Sequence, residues 1–153
     1  MTQNNFAIFA AGCFWGVEDR FRQMPGVIDA ISGYCGGHAE HPTYEQVCQG
    51  TTGHAEAVKV IYDPAVTDYE TLARSFFANH NPTTLNRQGP DVGSQYRSIC
   101  FYGNAGEKAI AEQLKKEVQK HWPNPVVTEI KPVAPFWPAE EYHQRFLEKR
   151  RQG

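Results

Sequence analysis

The sequence lacks several features that would place a protein in a specialised class. It has no apolar run near the roughly 18 residues of a membrane span, and its N-terminal MTQNNFAIFAAG lacks the basic region and long apolar run of a signal peptide. We therefore expect a soluble, cytoplasmic protein without a membrane partner. Its basic residues are scattered, apart from Lys149–Arg151. Because a nucleic-acid binder needs a basic stripe, we expect no nucleic-acid partner.

Length and composition are those of an ordinary globular domain. Of 153 residues, 41% are hydrophobic and 21% charged, with a formal net charge of −2. A chain of this size buries about two-thirds of the surface that its unfolded form exposes, enough for one core. We therefore expect residues 1–153 to form a single domain. A monomer is the default, because no exposed apolar stripe is evident.

Hydrophobic periodicity predicts alternating strands and helices. The predicted strands are FAIFAAG, VIDAISGY, HAEAVKVIYD and the segments 97–102 and 126–130. The predicted helices begin after Cys13, at a Thr67–Glu70 capping box, at Asn104, and near Ala139. This order predicts an α/β, two-layer sandwich with helices packed on a mixed or mostly antiparallel sheet. The long loops 33–53 and 81–95 are candidates for functional segments.

The stretch AGCFWG places Cys13 where a strand ends and a helix begins. Unpaired N–H groups at a helix N-terminus are expected to lower the pKa of a thiol from its free value of about 8.5, which favours a nucleophile. A small buried hydrophobe is the alternative. Phe14 lies on the apolar stripe of the helix, so packing explains it, whereas Trp15 lies off the stripe. Both rings could line a pocket for a thioether group.

Glu56 alternates with apolar residues along a predicted strand. It is expected to share a face with Val58 and Val60, while Lys59 marks the other face as partly exposed. A carboxyl group on an apolar face has its pKa raised by desolvation, so that it can act as a general acid near neutral pH. Pairing with an arginine, or a place at the sheet edge, is the alternative.

The other polar candidates, taken singly, do not predict a chemical role. Asp91 and Tyr96 lie in the turn-rich GPDVGSQY, and Tyr44 lies on a polar loop. A zinc site is a further hypothesis, because two cysteines and three histidines lie within 20 residues of one another: Cys35, His38, His41, Cys48 and His54. Their spacing matches no closed structural site, and we expect neither a metal nor a cofactor.

Six motifs together resemble the type A peptide methionine sulfoxide reductases. They are GCFWG, GYCGG, PTYEQVCQGTTGHAE, YDP, NPTTLNRQGPDVGSQYRS and PAEEYHQ. The resemblance extends from about Phe6 to Phe146 and implies a ferredoxin-like α/β sandwich. It also implies an enzyme that reduces the S epimer of methionine sulfoxide in oxidised proteins, and free methionine sulfoxide too, through a cysteine sulfenic acid.

The resemblance assigns roles to the candidate residues. Cys13 matches the nucleophile that attacks the sulfoxide sulfur, and Phe14 and Trp15 match the pocket for the ε-methyl group. The resemblance makes Glu56 the acid at the sulfoxide oxygen. Tyr44 and Tyr96 match the hydroxyl groups that act with Glu56 at the sulfoxide oxygen, and Asp91 matches a carboxylate that supports this polar network. The rival enzyme class is a thiol peroxidase or disulfide oxidoreductase, and the rival outside enzymology is a zinc-stabilised binding module.

The route that recycles the sulfenic acid differs from one pattern common in the family. Many members carry a resolving cysteine in a C-terminal tail, whereas this sequence has no cysteine after Cys100. Cys35, between glycines, is the first candidate, Cys48 the second, and direct reduction of Cys13 by an external thiol the third. Thioredoxin is the implied electron donor where a disulfide forms, and glutaredoxin or glutathione where none does.

Overall fold

The computed structural model describes residues 5–152. Its strands are β1 Asn5–Ala11, β2 Val27–Cys35, β3 Ala55–Tyr62, β4 Arg87–Gln88, β5 Asp91–Val92, β6 Ser98–Tyr102, β7 Glu129–Pro132 and β8 Phe136–Pro138. Its helices are α1 Phe14–Arg22, α2 Tyr44–Cys48, α3 Tyr69–Ala78, α4 Ala105–Gln119 and α5 Phe146–Gln152. None of the helices in this part of the chain has the length and apolar character to cross a membrane.

A mixed six-stranded sheet organises the fold. The strand order is β7-β6-β1-β3-β2-β8, and β4 with β5 forms a separate hairpin. Every neighbouring pair in the large sheet is antiparallel except β6 and β7, which are parallel. The predicted α/β class, with helices packed on a mixed sheet, is therefore confirmed.

The core lies mainly between the sheet and helices α1, α3 and α4. Phe9 of the central strand β1 is fully buried there, and its ring lies 5.3 Å from that of Phe21 and 5.2 Å from that of Phe76. Successive side chains of a strand point to opposite faces, so Ile8 and Ala10 lie in a smaller cluster on the other face. That face is covered by the segment 133–136. The central strand is therefore apolar on both sides.

Several predicted boundaries are wrong. Helix α3 is capped by Asp68, whose carboxylate accepts from the Thr71 N–H group, rather than by Thr67, because a carboxylate is the stronger acceptor at this position. Asn104 caps α4 as predicted. The terminal helix does not begin near residue 139, because a 3₁₀ turn at Glu141–His143 precedes α5. The sequence patterns also missed β8, the β4–β5 hairpin and the short helix α2.

Candidate active site

Cys13 lies between the end of β1 and the first residue of α1, as predicted. It occupies the N-cap position of α1 and is partly exposed. The preceding Gly12 has a φ of +95°, and a Cβ atom there would come within 2.8 Å of the Gln88 side chain. This position therefore requires glycine, which turns the chain sharply and places Cys13 at the N-terminal end of the helix.

The pKa of Cys13 is raised to about 11, chiefly because the thiol is largely removed from water. The Trp15 and Gly16 N–H groups at the start of α1 lower it, while negative charge on Glu56 and Asp91 raises it further. The prediction of a lowered pKa is therefore wrong, because desolvation outweighs the helix N-terminus. At neutral pH Cys13 is a thiol that must give up its proton in order to react.

Glu56 faces the same space from β3 and is 1% exposed. Its Oε1 atom accepts a hydrogen bond of 3.2 Å from the N–H group of Phe14, the residue next to Cys13. Within residues 5–152, its Oε2 atom has no hydrogen-bond partner. Burial raises the pKa of Glu56 to about 7, with Asp91 adding to the effect and the Phe14 N–H group opposing it. Among the residues that the structure describes, this carboxyl group therefore has no arginine partner, and it can carry a proton near neutral pH.

The two aromatic residues after Cys13 occupy different environments. Phe14 is 1% exposed and packs between Tyr34 and Tyr44, with ring centroids 5.9 Å and 6.4 Å away. Trp15 is half-buried and stacks on Phe146 at 3.9 Å. Phe14 is therefore packed in the core, as its place on the apolar stripe of the helix predicts, whereas Trp15, two residues after Cys13, keeps part of its surface exposed.

His143 is a site residue from the PAEEYHQ motif. The resemblance to the family places this position near the site, whereas a solvated helix residue explains the local pattern equally well. It is 1% exposed, and its Nδ1 atom accepts a hydrogen bond of 3.0 Å from the Trp15 indole N–H group. Its ring lies 4.4 Å from that of Tyr44. Its Nε2 atom has no hydrogen-bond partner among the described residues. His143 therefore orients Trp15 from a segment 128 residues away in sequence, a distance that no local pattern reports.

Tyr44, Tyr96 and Asp91 are brought to the same region, as the resemblance implied. Burial raises the pKa of Tyr96 to about 12, and charge on Glu56, Cys48, Asp91 and Cys13 adds to this effect. Burial also raises the pKa of Tyr44, and the neighbouring Cys48 thiol raises it further. Both hydroxyl groups therefore remain protonated at neutral pH and can donate hydrogen bonds.

Glu140 is a site residue that sequence reasoning missed. One carboxylate oxygen accepts from the Tyr34 hydroxyl at 2.8 Å, and the other accepts from the Tyr44 N–H group at 3.0 Å. It therefore ties the first residue of α2 to the strand beside Glu56, since Tyr34 is paired with Glu56 in the β2–β3 register. The acidic pair in PAEEYHQ was the available signal, but it did not distinguish this role from surface charge.

The two resolving-cysteine candidates are placed very differently. Cys35 is not in a flexible loop: it is the last residue of β2 and fully buried, and its thiol lies 3.6 Å from the Ala134 carbonyl oxygen. Since Tyr34 shares a face with Glu56, Cys35 points to the opposite face of the sheet. The premise of a flexible loop around Cys35 is therefore wrong, and the structure does not favour Cys35 as the resolving cysteine. Cys48, in contrast, is exposed and lies beside the Tyr44 hydroxyl.

The residues of the zinc hypothesis are not brought together. The Nδ1 atom of His54 accepts from the Gly37 N–H group at 3.0 Å, and its Nε2 atom lies 2.7 Å from the Ala39 carbonyl oxygen. Both ring nitrogens thus hold the backbone of the 36–54 segment. Across residues 5–152, no three histidine, cysteine or acidic side chains are grouped in a way that could hold a metal ion.

Known proteins share both the sequence and the fold. The sequence profile of the peptide methionine sulfoxide reductases matches residues 5–153. A peptide methionine sulfoxide reductase MsrA from Methanosarcina acetivorans is 58% identical over 94% of this chain and 78% of its own length. Mxr1 from Saccharomyces cerevisiae in reduced form covers 99% of this chain and 88% of its own, with a TM-score of 0.91 and 38% identity.

Mxr1 in complex with Trx2 is also similar, with a TM-score of 0.67 and 27% identity over 92% of this chain and 84% of its own. The profile match extends over nearly the whole sequence, and the relatives are similar over most of their own lengths. The chain therefore belongs to the peptide methionine sulfoxide reductase family.

Proposed function

We propose that this chain reduces the S epimer of methionine sulfoxide, in oxidised proteins and as the free amino acid, with Cys13 as nucleophile and Glu56 as general acid. The observation that carries the proposal is the Glu56 carboxyl group. It is buried and hydrogen-bonded to the residue beside the nucleophile, and its Oε2 atom has no partner among the described residues. A sulfoxide oxygen is a hydrogen-bond acceptor that a protonated Oε2 atom would satisfy.

The reaction balances with the groups present. The proton on Glu56 passes to the sulfoxide oxygen, while the Cys13 sulfur, having lost its own proton, attacks the sulfoxide sulfur. That attack joins the two sulfur atoms. The hydroxyl group then passes to the Cys13 sulfur: a new S–O bond forms on Cys13, while the bond between the two sulfurs and the S–O bond to the substrate break. The thioether leaves, and Cys13 ends as a sulfenic acid. Cys13 loses two electrons and the substrate sulfur gains them. The proton lost by Cys13 restores the one given by Glu56.

The remaining site residues provide different surroundings for the methyl group and the oxygen that are bonded to the sulfoxide sulfur. The Phe14 and Trp15 rings offer an apolar surface for the methyl group, because thioether and aromatic groups attract one another. Glu56, Tyr44 and Tyr96 offer hydrogen-bond donors for the oxygen, with Asp91 supporting this polar side of the pocket. A site with separate places for methyl and oxygen accepts one epimer, and the family resemblance implies that this is the S form.

Thioredoxin is the proposed electron donor. The structure of Mxr1 in complex with Trx2 supports this, as Mxr1 resembles this chain over most of both lengths. We further propose a monomeric, cytoplasmic, single-domain enzyme, as the composition suggests. The finer fold class proposed is a ferredoxin-like two-layer sandwich. The order β6-β1-β3-β2, connected as β1-α1-β2 and β3-α3-β6, supports it.

The test compares two oxidants with the reduced protein and its Cys13→Ser variant. With dithiothreitol present, wild type is expected to release thioether from a methionine sulfoxide peptide, and the variant none. Hydrogen peroxide at the same concentration is expected to be consumed at least tenfold more slowly than the sulfoxide. Faster consumption of peroxide would instead support the thiol peroxidase alternative, because that reaction needs no methyl pocket.

A further inference from the structure

The proposed function leaves a sulfenic acid on Cys13, which a second thiol must remove. Besides the Cys35 thiol on the opposite face, Cys100 is fully buried and lies 3.3 Å from the Tyr69 hydroxyl in the core. Cys48 is the exposed cysteine of the sequence. Of the three further thiols, Cys48 alone combines access to solvent with a place beside the site residues.

Helix α2 carries Cys48 on its site-facing side. The Tyr44 ring of this helix packs on Phe14, the residue after Cys13, at a centroid distance of 6.4 Å. Residues four apart lie on the same face of a helix, and the Cys48 thiol indeed lies beside the Tyr44 hydroxyl. Negative charge on either Cys13 or Cys48 raises the pKa of the Tyr96 hydroxyl. Both thiols therefore lie in the region of the Tyr96 hydroxyl.

The end of α2 is lightly held, which favours movement of Cys48. The helix has five residues, of which Val47 is buried and the others are partly or fully exposed. Cys48 is its last residue, and Gly50 follows with a φ of +77° and open space around the position of a Cβ atom. Unwinding this end costs few contacts. Such movement matters because a disulfide between Cys13 and Cys48 needs their Cα atoms about 4.4–6.8 Å apart.

We propose that Cys48 is the resolving cysteine of this enzyme. Its sulfur attacks the sulfur of the Cys13 sulfenic acid, an S–S bond forms, and the S–O bond breaks. The hydroxyl group leaves with the Cys48 proton as water, so that two cysteines end as one disulfide. A dithiol protein of the thioredoxin class then reduces that disulfide, which lies at the exposed end of α2. The proposal rests on the proposed sulfoxide reduction.

The first test counts thiols after a single turnover. Fully reduced protein is mixed with excess methyl sulfoxide peptide without any reductant, and thioether and free thiols are measured in the same sample. Wild type is expected to retain two of its four thiols and to yield a Cys13–Cys48 peptide in a protease digest. Cys48→Ser is expected to keep two of its three thiols and to react at Cys13 with a sulfenic acid reagent such as dimedone.

A matched control is Cys35→Ala, which removes a cysteine that the structure places on the opposite face. It is expected to form the Cys13–Cys48 disulfide as wild type does. With a thioredoxin as reductant, steady-state turnover is expected to fall at least tenfold in Cys48→Ser but less than threefold in Cys35→Ala. The serine variant should still release one thioether per chain, because its Cys13 is intact.

Two results would overturn the assignment of Cys48. One is an intramolecular disulfide in Cys48→Ser, which would identify another partner for Cys13. The other is a wild-type protein that releases thioether yet keeps a sulfenic acid and three thiols. If wild type and both variants released no thioether, the result would instead contradict the proposed sulfoxide reduction. Failure of the Cys48 assignment and failure of the proposed function are therefore distinguishable.

Discussion

Replacement of Glu56 by glutamine tests the acid role with little change of shape. The amide oxygen can still accept the Phe14 N–H group, which lies 3.2 Å from Oε1 in the native site. What the variant lacks is the proton on the second oxygen. General-acid help of this kind contributes roughly 10²–10⁴-fold to a rate, so kcat/KM for a methionine sulfoxide peptide is expected to fall by that factor at pH 7.

The pH dependence follows from the two raised pKa values, about 7 for Glu56 and about 11 for Cys13. The reactive state holds one proton, on Glu56, whereas below pH 7 the pair holds two. Wild-type kcat/KM is therefore expected to rise tenfold per pH unit up to about pH 7 and then level off. In Glu56→Gln, the rate follows the Cys13 thiolate alone and keeps rising above pH 7, so the deficit shrinks as the pH increases.

The same pKa shift predicts an effect on stability. The pKa of Glu56 rises from 4.5 in a free side chain to about 7 in the folded protein, so the native state binds more protons than the unfolded state between these values. Its contribution to the unfolding free energy therefore falls as the pH rises through this window, by about 3 kcal/mol. Glu56→Gln lacks this loss and should gain stability relative to wild type between pH 4 and pH 8.

Both effects are measured by stopped-flow single turnover and urea unfolding from pH 5 to 9. The matched control is Glu112→Gln, at an exposed position of α4, which should follow the wild-type profile in both assays. The reasoning is refuted if Glu56→Gln keeps the wild-type break near pH 7, or if it loses less than tenfold in kcat/KM at pH 7.

Three further predictions concern residues around the site and in the core. Trp15→Phe loses the hydrogen bond to His143, so KM for methyl sulfoxide peptides should rise several-fold in steady-state assays, with less change in kcat. Glu18→Gln disrupts a buried carboxylate that lies 2.9 Å from Arg22. Because Arg22 keeps its ion pair with Asp29, urea unfolding should show a loss of about 1–3 kcal/mol. Burial lowers the pKa of His80 to about 4, so the unfolded state binds an extra proton between pH 4 and 6.5. The contribution of His80 to the unfolding free energy should therefore fall by about 3 kcal/mol as the pH drops through that window. The difference between wild type and His80→Gln in urea titrations isolates this contribution from the opposite one of Glu56.

Local patterns predicted the elements that carry the two central residues. The glycine after an apolar strand placed Cys13 at the start of α1, and the alternation around Glu56 placed its carboxyl group on the apolar face of β3. These inferences depend on short-range geometry, in which a strand has a period of two and a helix a period of 3.6. The local sequence pattern was therefore sufficient to predict the positions of Cys13 and Glu56 on their elements.

Other features depend on contacts that local patterns cannot report. His143 and Glu140 reach the site from the far end of the sequence, through hydrogen bonds to Trp15 and Tyr44. The glycines around Cys35 suggested a mobile loop, but they end a buried strand. The pKa of Cys13 was expected to fall because of the helix N-terminus, whereas the depth of burial, which depends on tertiary packing, raises it.

The central claim is that Cys13, Glu56 and the aromatic surface beside them form a site for one epimer of methionine sulfoxide. The most direct measurement is a single-turnover reaction of the reduced protein with each separated epimer of a methionine sulfoxide peptide, in which released thioether is counted per chain. We predict one equivalent of thioether from the S epimer and none from the R epimer, with oxidation of Cys13. Equal release from both epimers, or release from neither, would contradict the account.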